Sequence, residues 1–230
     1  MAKISRVSLA RKRELEKPDA VLSFLQQASL WLSTNKQQAT IAAGAVLAVI
    51  IFVAVGTYVY SQAKEKAFNR LTRIMQVTPD PSGAAASTAE EYKQLNKKYS
   101  HTTAGKIAGL KYADACYQAG DYENAITSYQ KALSDFKNTP FFKIMALNGL
   151  GYSYESSGKY DQAITAFKKI LDDPKASIKD ETLFNLGRLY ERQGDLKSSR
   201  GMFDRILADH PDSFYATLVR ESNGDLQSDS

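Results

Sequence analysis

The chain has 230 residues, enough for one or two domains, and its 30 Lys plus Arg against 25 Asp plus Glu leave a net charge of +5. Seven of those cations and three carboxylates fall in residues 1–40, none falls in 41–60, and residues 61–230 hold 23 and 22, so no folded surface carries the excess that tracking nucleic-acid phosphates needs. One cysteine, Cys116, excludes an intramolecular disulfide framework and a Cys-rich zinc site, and the two histidines, His101 and His210, stand too far apart in the chain to suggest a His-based metal or catalytic site.

Residues 1–40 read as a basic tail. Pro18-Asp19 can open a helix, after which Val21, Phe24, Leu25, Ala28, Trp31 and Leu32 recur at helical spacing. Two readings of the tail stay open. One is an interfacial amphipathic helix with Arg11-Lys12-Arg13 resting on anionic lipid; the other is a mostly disordered tail whose cations only set orientation.

Residues 41–60 contain no charge, and at about 1.5 Å per residue they match a hydrocarbon layer roughly 30 Å thick. Ten of them are Leu, Ile, Phe or Val, which together favour insertion by about 3–6 kcal/mol. Tyr58 and Tyr60 lie where an aromatic belt would sit. A buried core helix would not need this length. A cleavable signal would be shorter and nearer the N-terminus, although Ser61-Gln62-Ala63 loosely resembles a cleavage site. The expectation is a single-pass anchor. The cations of the tail favour a cytoplasmic N-terminus, whereas Lys64, Lys66, Arg70 and Arg73 crowd the other flank and only Lys36 lies in 21–40. Long domains translocate largely regardless of such charges, so residues 61–230 are expected outside. Gly44 and Ala48 could seat another membrane helix.

Gln62 to Val77 continues with helix formers until Pro79-Asp80-Pro81-Ser82-Gly83 stops it, and Ala84 to Thr88 completes a linker over 61–88. From residue 89 the chain predicts helices separated by short turns bearing Gly or Pro. Three segments align: Ala113-x-x-Cys116-x-x-x-Gly120-Asp121-Tyr122-x-x-Ala125, Gly151-x-x-Tyr154-x-x-x-Gly158-Lys159-Tyr160-x-x-Ala163 and Gly187-x-x-Tyr190-x-x-x-Gly194-Asp195-Leu196-x-x-Ser199. Tyr129, Phe167 and Phe203 follow each by four residues, then Ala132, Ile170 and Ile206, and the third copy closes with Pro211.

This pattern resembles the tetratricopeptide repeat, a helix pair with small residues where the helices cross and aromatics beside them. The second and third copies match best. The first departs, with Tyr112-Ala113 in place of Leu-Gly and a cysteine where an aromatic is usual. The resemblance implies an all-α solenoid of helical hairpins after one transmembrane helix. Its domain spans 89–222, with repeats at about 106–139, 144–177 and 180–213, caps before and after them, and a disordered tail at 223–230. A small residue lets two helices approach, and residues such as Tyr154 and Phe167 fill the wedge to the next pair.

Neither a metalloprotease, hydrolase, P-loop nor dinucleotide motif occurs; Gly149-Leu150-Gly151 lies inside a helix and reads as packing. No catalytic residue, cofactor or metal is assigned, and an enzyme is not expected. A repeat solenoid offers a groove lined by the first helix of each pair. By repeat position those residues are Leu110, Asp114 and Tyr117, then Asn148, Tyr152 and Glu155, then Phe184, Arg188 and Glu191. Tyr117, Tyr152 and Phe184 would form an aromatic strip suited to an extended or helical peptide, unless some of them pack on neighbouring helices instead. Co-chaperones of this fold hold the C-terminal carboxylate of heat-shock chaperones with Lys, Asn and Arg. Here Leu110, Asp114, Gly149, Glu181 and Asn185 occupy those places, which supply no cation and two repelling carboxylates.

The layout resembles bacterial inner-membrane proteins with a periplasmic tetratricopeptide-like domain, including the ancillary subunit of the Sec translocon. That resemblance implies protein partners (translocon, periplasmic chaperones or subunits of envelope complexes), no nucleic acid, and a role in export or chaperone handover. The rival is a scaffold for envelope assembly or division, because Leu186-Gly187 to Pro211-Asp212-Ser213 looks like repeats of such proteins. Self-association through the tail helix, Gly44/Ala48 or the repeat ends is also compatible with the sequence.

Overall fold

A computed structural model describes the backbone of residues 20–76 and 84–228 and the side chains within 23–76 and 87–222. Arg11-Lys12-Arg13, Pro18-Asp19 and the turn from Pro79 to Gly83 lie outside the described residues. Ten helices and no strand occur among those described: α1 Ala20–Thr34, α2 Lys36–Gln76, α3 Ala84–Tyr99, α4 Thr103–Gln118, α5 Tyr122–Asp135, α6 Pro140–Ser156, α7 Tyr160–Leu171, α8 Lys179–Arg192, α9 Leu196–Asp209 and α10 Phe214–Ser228. The chain divides into two units, Met1–Tyr60 and Ser61–Ser230.

In the first unit, α1 exposes Phe24, Leu25, Trp31 and Leu32, and the apolar run of α2 exposes Val46, Ile50, Phe52 and Val53. Helix α2 is the one described helix long and apolar enough to cross a membrane, and no residue of its apolar window is buried. Nothing lies within 4 Å of a Cβ added at Gly44.

The second unit is a succession of helical hairpins. Three of its bends are equivalent. Gly120, Gly158 and Gly194 have φ of 77°, 74° and 79°, the left-handed region that glycine enters without steric cost. At each, the next residue donates its N–H to a carbonyl five residues back: Asp121 to Cys116, Lys159 to Tyr154, and Asp195 to Tyr190. These are Schellman closures. Asp121 and Asp195 then cap the following helix, accepting from the backbone N–H of Asn124 and Ser198. Lys159, at the same place, makes no side-chain cap.

Within each hairpin the small residues stand where side-chain bulk cannot. A Cβ at Gly151 would lie 2.6 Å from the Phe167 ring, and one at Gly187 would lie 2.4 Å from Phe203. Gly149 serves the seam to the preceding hairpin, since its Cβ would meet Tyr129 at 2.2 Å. The cores confirm that hairpins share rather than enclose their apolar faces. One joins Leu110, Ala113, Cys116 and Tyr129 to Ala146, Leu150 and Ala166; the next joins Ile144, Phe167 and Ile170 to Leu186 and Leu189. Each large side chain so enclosed contributes about 1.5–3 kcal/mol. Cys116 sits in the first of these cores at 6% exposure, where burial pushes its thiol above the usual range.

The ends extend beyond the boundaries expected from sequence. Ala84 to Thr88, read as linker, begins α3, because alanine has the highest helix propensity and three stand in a row here. Ala67, Leu71 and Ile74 of α2 join Tyr92 and Leu95 of α3 and Ala104 and Ala108 of α4 in one core, so the segment after Tyr60 is a packed layer and not only a continuation. The bend between α3 and α4 differs from the other three. There Thr102 Oγ1 donates to the Tyr99 carbonyl and accepts from Gly105 N–H, and a Cβ at Gly105 would collide with the Tyr99 carbonyl oxygen. At the other end α10 runs to Ser228, past residue 222, where a disordered tail was expected. Its Ala216 and Val219 close a core with Leu183 and Ile206.

Candidate protein-binding site

The nine groove residues expected from repeat position separate into three groups. Leu110 does not line a groove: it is 1% exposed and belongs to the first core. Repeat position alone cannot foresee this: Asp114 and Tyr117 on the same side of α4 stay partly exposed, and only the apolar Leu110 joins the core. Asp114 is half-buried; its carboxylate pairs with Lys111 and accepts from the Tyr129 hydroxyl at 2.7 Å. That contact, after burial, holds the Tyr129 phenol above its usual range. Tyr117 packs its ring 5.7 Å from that of Tyr122.

Asn148, Tyr152 and Glu155 lie along α6 and are engaged by the next hairpin. Tyr152 donates to Glu181 at 2.7 Å and accepts from Asn185 at 2.8 Å, while Asn148 Nδ2 approaches the same Glu181 oxygen at 3.4 Å. Burial, then the bond to Glu181, raises the Tyr152 phenol. Glu155, 11% exposed, pairs with Arg188 at 3.2 Å and Arg192 at 3.6 Å. Three of these contacts (Asn148 to Glu181, Tyr152 to Asn185, Glu155 to Arg188) span 33 residues. They form a ladder between α6 and α8. Glu181 and Asn185 were not among the groove residues. A signal for them exists in the sequence: positions 181, 185 and 188 repeat the i, i+4, i+7 spacing of 148, 152 and 155.

Phe184, Arg188 and Glu191 are brought together. They line a cavity of about 760 Å³ between α8, α9 and α10, with Leu196, Arg200, Phe203, Asp204, Leu218 and Val219 among its other walls. Phe184 stacks obliquely on Phe203 and Tyr215, with centroids 5.9 and 5.2 Å away. Leu196 keeps 66% of its surface exposed, although it stands where the other copies carry a tyrosine. Apolar side chains (Phe184, Leu196, Phe203, Leu218, Val219) and charged ones (Arg188, Glu191, Arg200, Asp204) thus share the walls of the cavity. Among the described residues no group of three or more His, Cys, Asp or Glu is placed to hold a metal ion.

With this geometry in hand, three comparisons bear on the chain. Residues 30–221 match the family model described as a tetratricopeptide repeat-like domain. Among solved structures, a tetratricopeptide repeat protein from Parabacteroides merdae ATCC 43184 superposes with a TM-score of 0.52 at 20% identity, covering 70% of this chain and 57% of its own. This chain thus spans little more than half of that relative's length. BtubC (BKLC) from P. vanneervenii superposes with a TM-score of 0.50 at 18% identity, covering 90% of this chain and 93% of its own. At such identities the likeness is one of fold. No curated protein matches the sequence. The family match covers most of the chain, and the three glycine bends lie within it: the protein belongs to the tetratricopeptide repeat-like domain family.

Proposed function

We propose that the protein is a membrane-anchored protein-binding module of the bacterial cell envelope. Residues 41–60 of α2 cross the inner membrane, the tail stays cytoplasmic, and the repeats at 106–139, 144–177 and 180–213 present their binding surface in the periplasm as an accessory to export or chaperone handover. The observation that carries the anchor is the wholly unburied apolar run of α2; a core helix of that composition would be enclosed. The binding surface is the cavity under Phe184 and Leu196, with Arg188 and Glu191 in its walls.

A photo-crosslinking residue at Leu196 or Phe184 of the full chain, in native membranes, tests this. Translocon or chaperone adducts, together with many weak client adducts, are the expected result. One dominant envelope-assembly partner would favour the scaffold reading instead. Added protease must also digest residues 61–230 in intact spheroplasts; protection would place the repeats in the cytoplasm and remove the export reading.

A further inference from the structure

Seven cations of the repeats, Lys111, Lys131, Lys143, Lys159, Arg188, Arg192 and Arg205, each meet a carboxylate within 4.0 Å. Helix α2 carries a row of cations without such pairs. Ala67, Leu71 and Ile74 form its packed face, and beside that face Lys66, Arg70 and Arg73 recur at i, i+4 and i+7, two residues after Lys64. Like charges at this spacing repel, yet none of the four has an ion pair or side-chain hydrogen bond among the described residues. A cleft of about 470 Å³ opens along the row, lined by Lys66, Asn69, Arg70, Arg73, Ile74 and Glu91. Three cations there face one carboxylate.

We propose that this row binds the phosphates of anionic phospholipid headgroups. The inference rests on the reading of residues 41–60 as a membrane span. Lys64 and Lys66 follow Tyr60 by four and six residues, about 6–9 Å of helical rise. Side chains on a helix lean toward its N-terminus, so these long side chains reach back toward the apolar run, where headgroup phosphates border the hydrocarbon. Arginine adds a planar fork that grips phosphate with two hydrogen bonds. Arg73, about 20 Å of rise from Tyr60, contributes least.

The test uses the full chain in nanodiscs of phosphatidylcholine alone or mixed equally with phosphatidylglycerol, reading amide hydrogen exchange at residues 64–76. Exchange slows by about fivefold or more in the anionic discs, the factor a single cation near such a surface supplies. The variant K66Q/R70Q/R73Q loses the slowing and K66R/R70K/R73K keeps it, while unchanged protection of the repeat amides reports that each is folded. Inorganic phosphate added to the phosphatidylcholine discs leaves exchange unchanged. Equal exchange in the two discs, slowing that survives in the glutamine variant, or slowing by free phosphate overturns the lipid assignment alone. A chain that does not enter either disc overturns the span and the lipid contact together.

Discussion

Gly151→Ala sets two effects of opposite sign against each other. Replacing a glycine inside a helix by alanine favours the folded state by about 0.8–1.0 kcal/mol through propensity alone. At residue 151 the new Cβ would lie 2.6, 2.7 and 2.9 Å from three atoms of the Phe167 ring. That ring is fully buried and has Tyr152 edge-on at 5.5 Å, so it has no room to withdraw. Overpacking of this kind costs about 1–3 kcal/mol, and the balance is a net loss of about 1 kcal/mol. Gly201→Ala is the internal control. It sits inside α9 with nothing within 4 Å of the added carbon, so the propensity gain stands alone and the variant is stabilised by up to about 1 kcal/mol. Urea unfolding of the full chain in non-ionic detergent, followed by circular dichroism, reads both. Trimming the ring with Phe167→Leu should relieve the first variant, giving a coupling of about 1–2 kcal/mol in the double-mutant cycle. If Gly151→Ala proves as stabilising as Gly201→Ala, the close approach of α6 and α7 is not what the glycine provides.

Three further outcomes follow from the ladder and the caps. Tyr152→Phe removes a hydroxyl shared by Glu181 and Asn185 and should cost about 1–2 kcal/mol in the same unfolding assay. Glu155→Gln should cost less, below about 1 kcal/mol, because its partners Arg188 and Arg192 are 37% and 50% exposed, and the loss should shrink as salt is added. The third outcome is a pH dependence. Hydrogen bonds from the Ser198 side chain and backbone hold the Asp195 carboxyl below the usual range. Its stabilising contribution is therefore complete above the unfolded value near ~3.9 and fades as pH falls through the lower folded value. Melting temperature against pH should show a shallower acid limb in Asp195→Asn, which keeps a capping oxygen but cannot titrate there.

Much of the fold could be read from the chain because its determinants are local and repeated. Gly120, Gly158 and Gly194 mark bends that only a left-handed residue closes in this way, and Gly151 and Gly187 announce the aromatics that press on them. The binding surface was less legible. Repeat position says which side of a helix a residue occupies, not whether a neighbour has already taken it. Leu110 went to the core, and Asn148, Tyr152 and Glu155 went to the next hairpin. The packed end of α2 was hidden for another reason. Its buried positions 67, 71 and 74 form a narrow stripe at i, i+4 and i+7 inside a charged stretch, and such a stripe does not say which helix covers it.

The 33-residue rungs between α6 and α8 have a mechanical consequence. Sliding one helix past the other by less than a turn would break every rung without making another, so intermediate positions are penalised. The seam therefore behaves as a detent rather than a soft hinge, and a pull on it should be met by stiffness up to a threshold and then by abrupt parting.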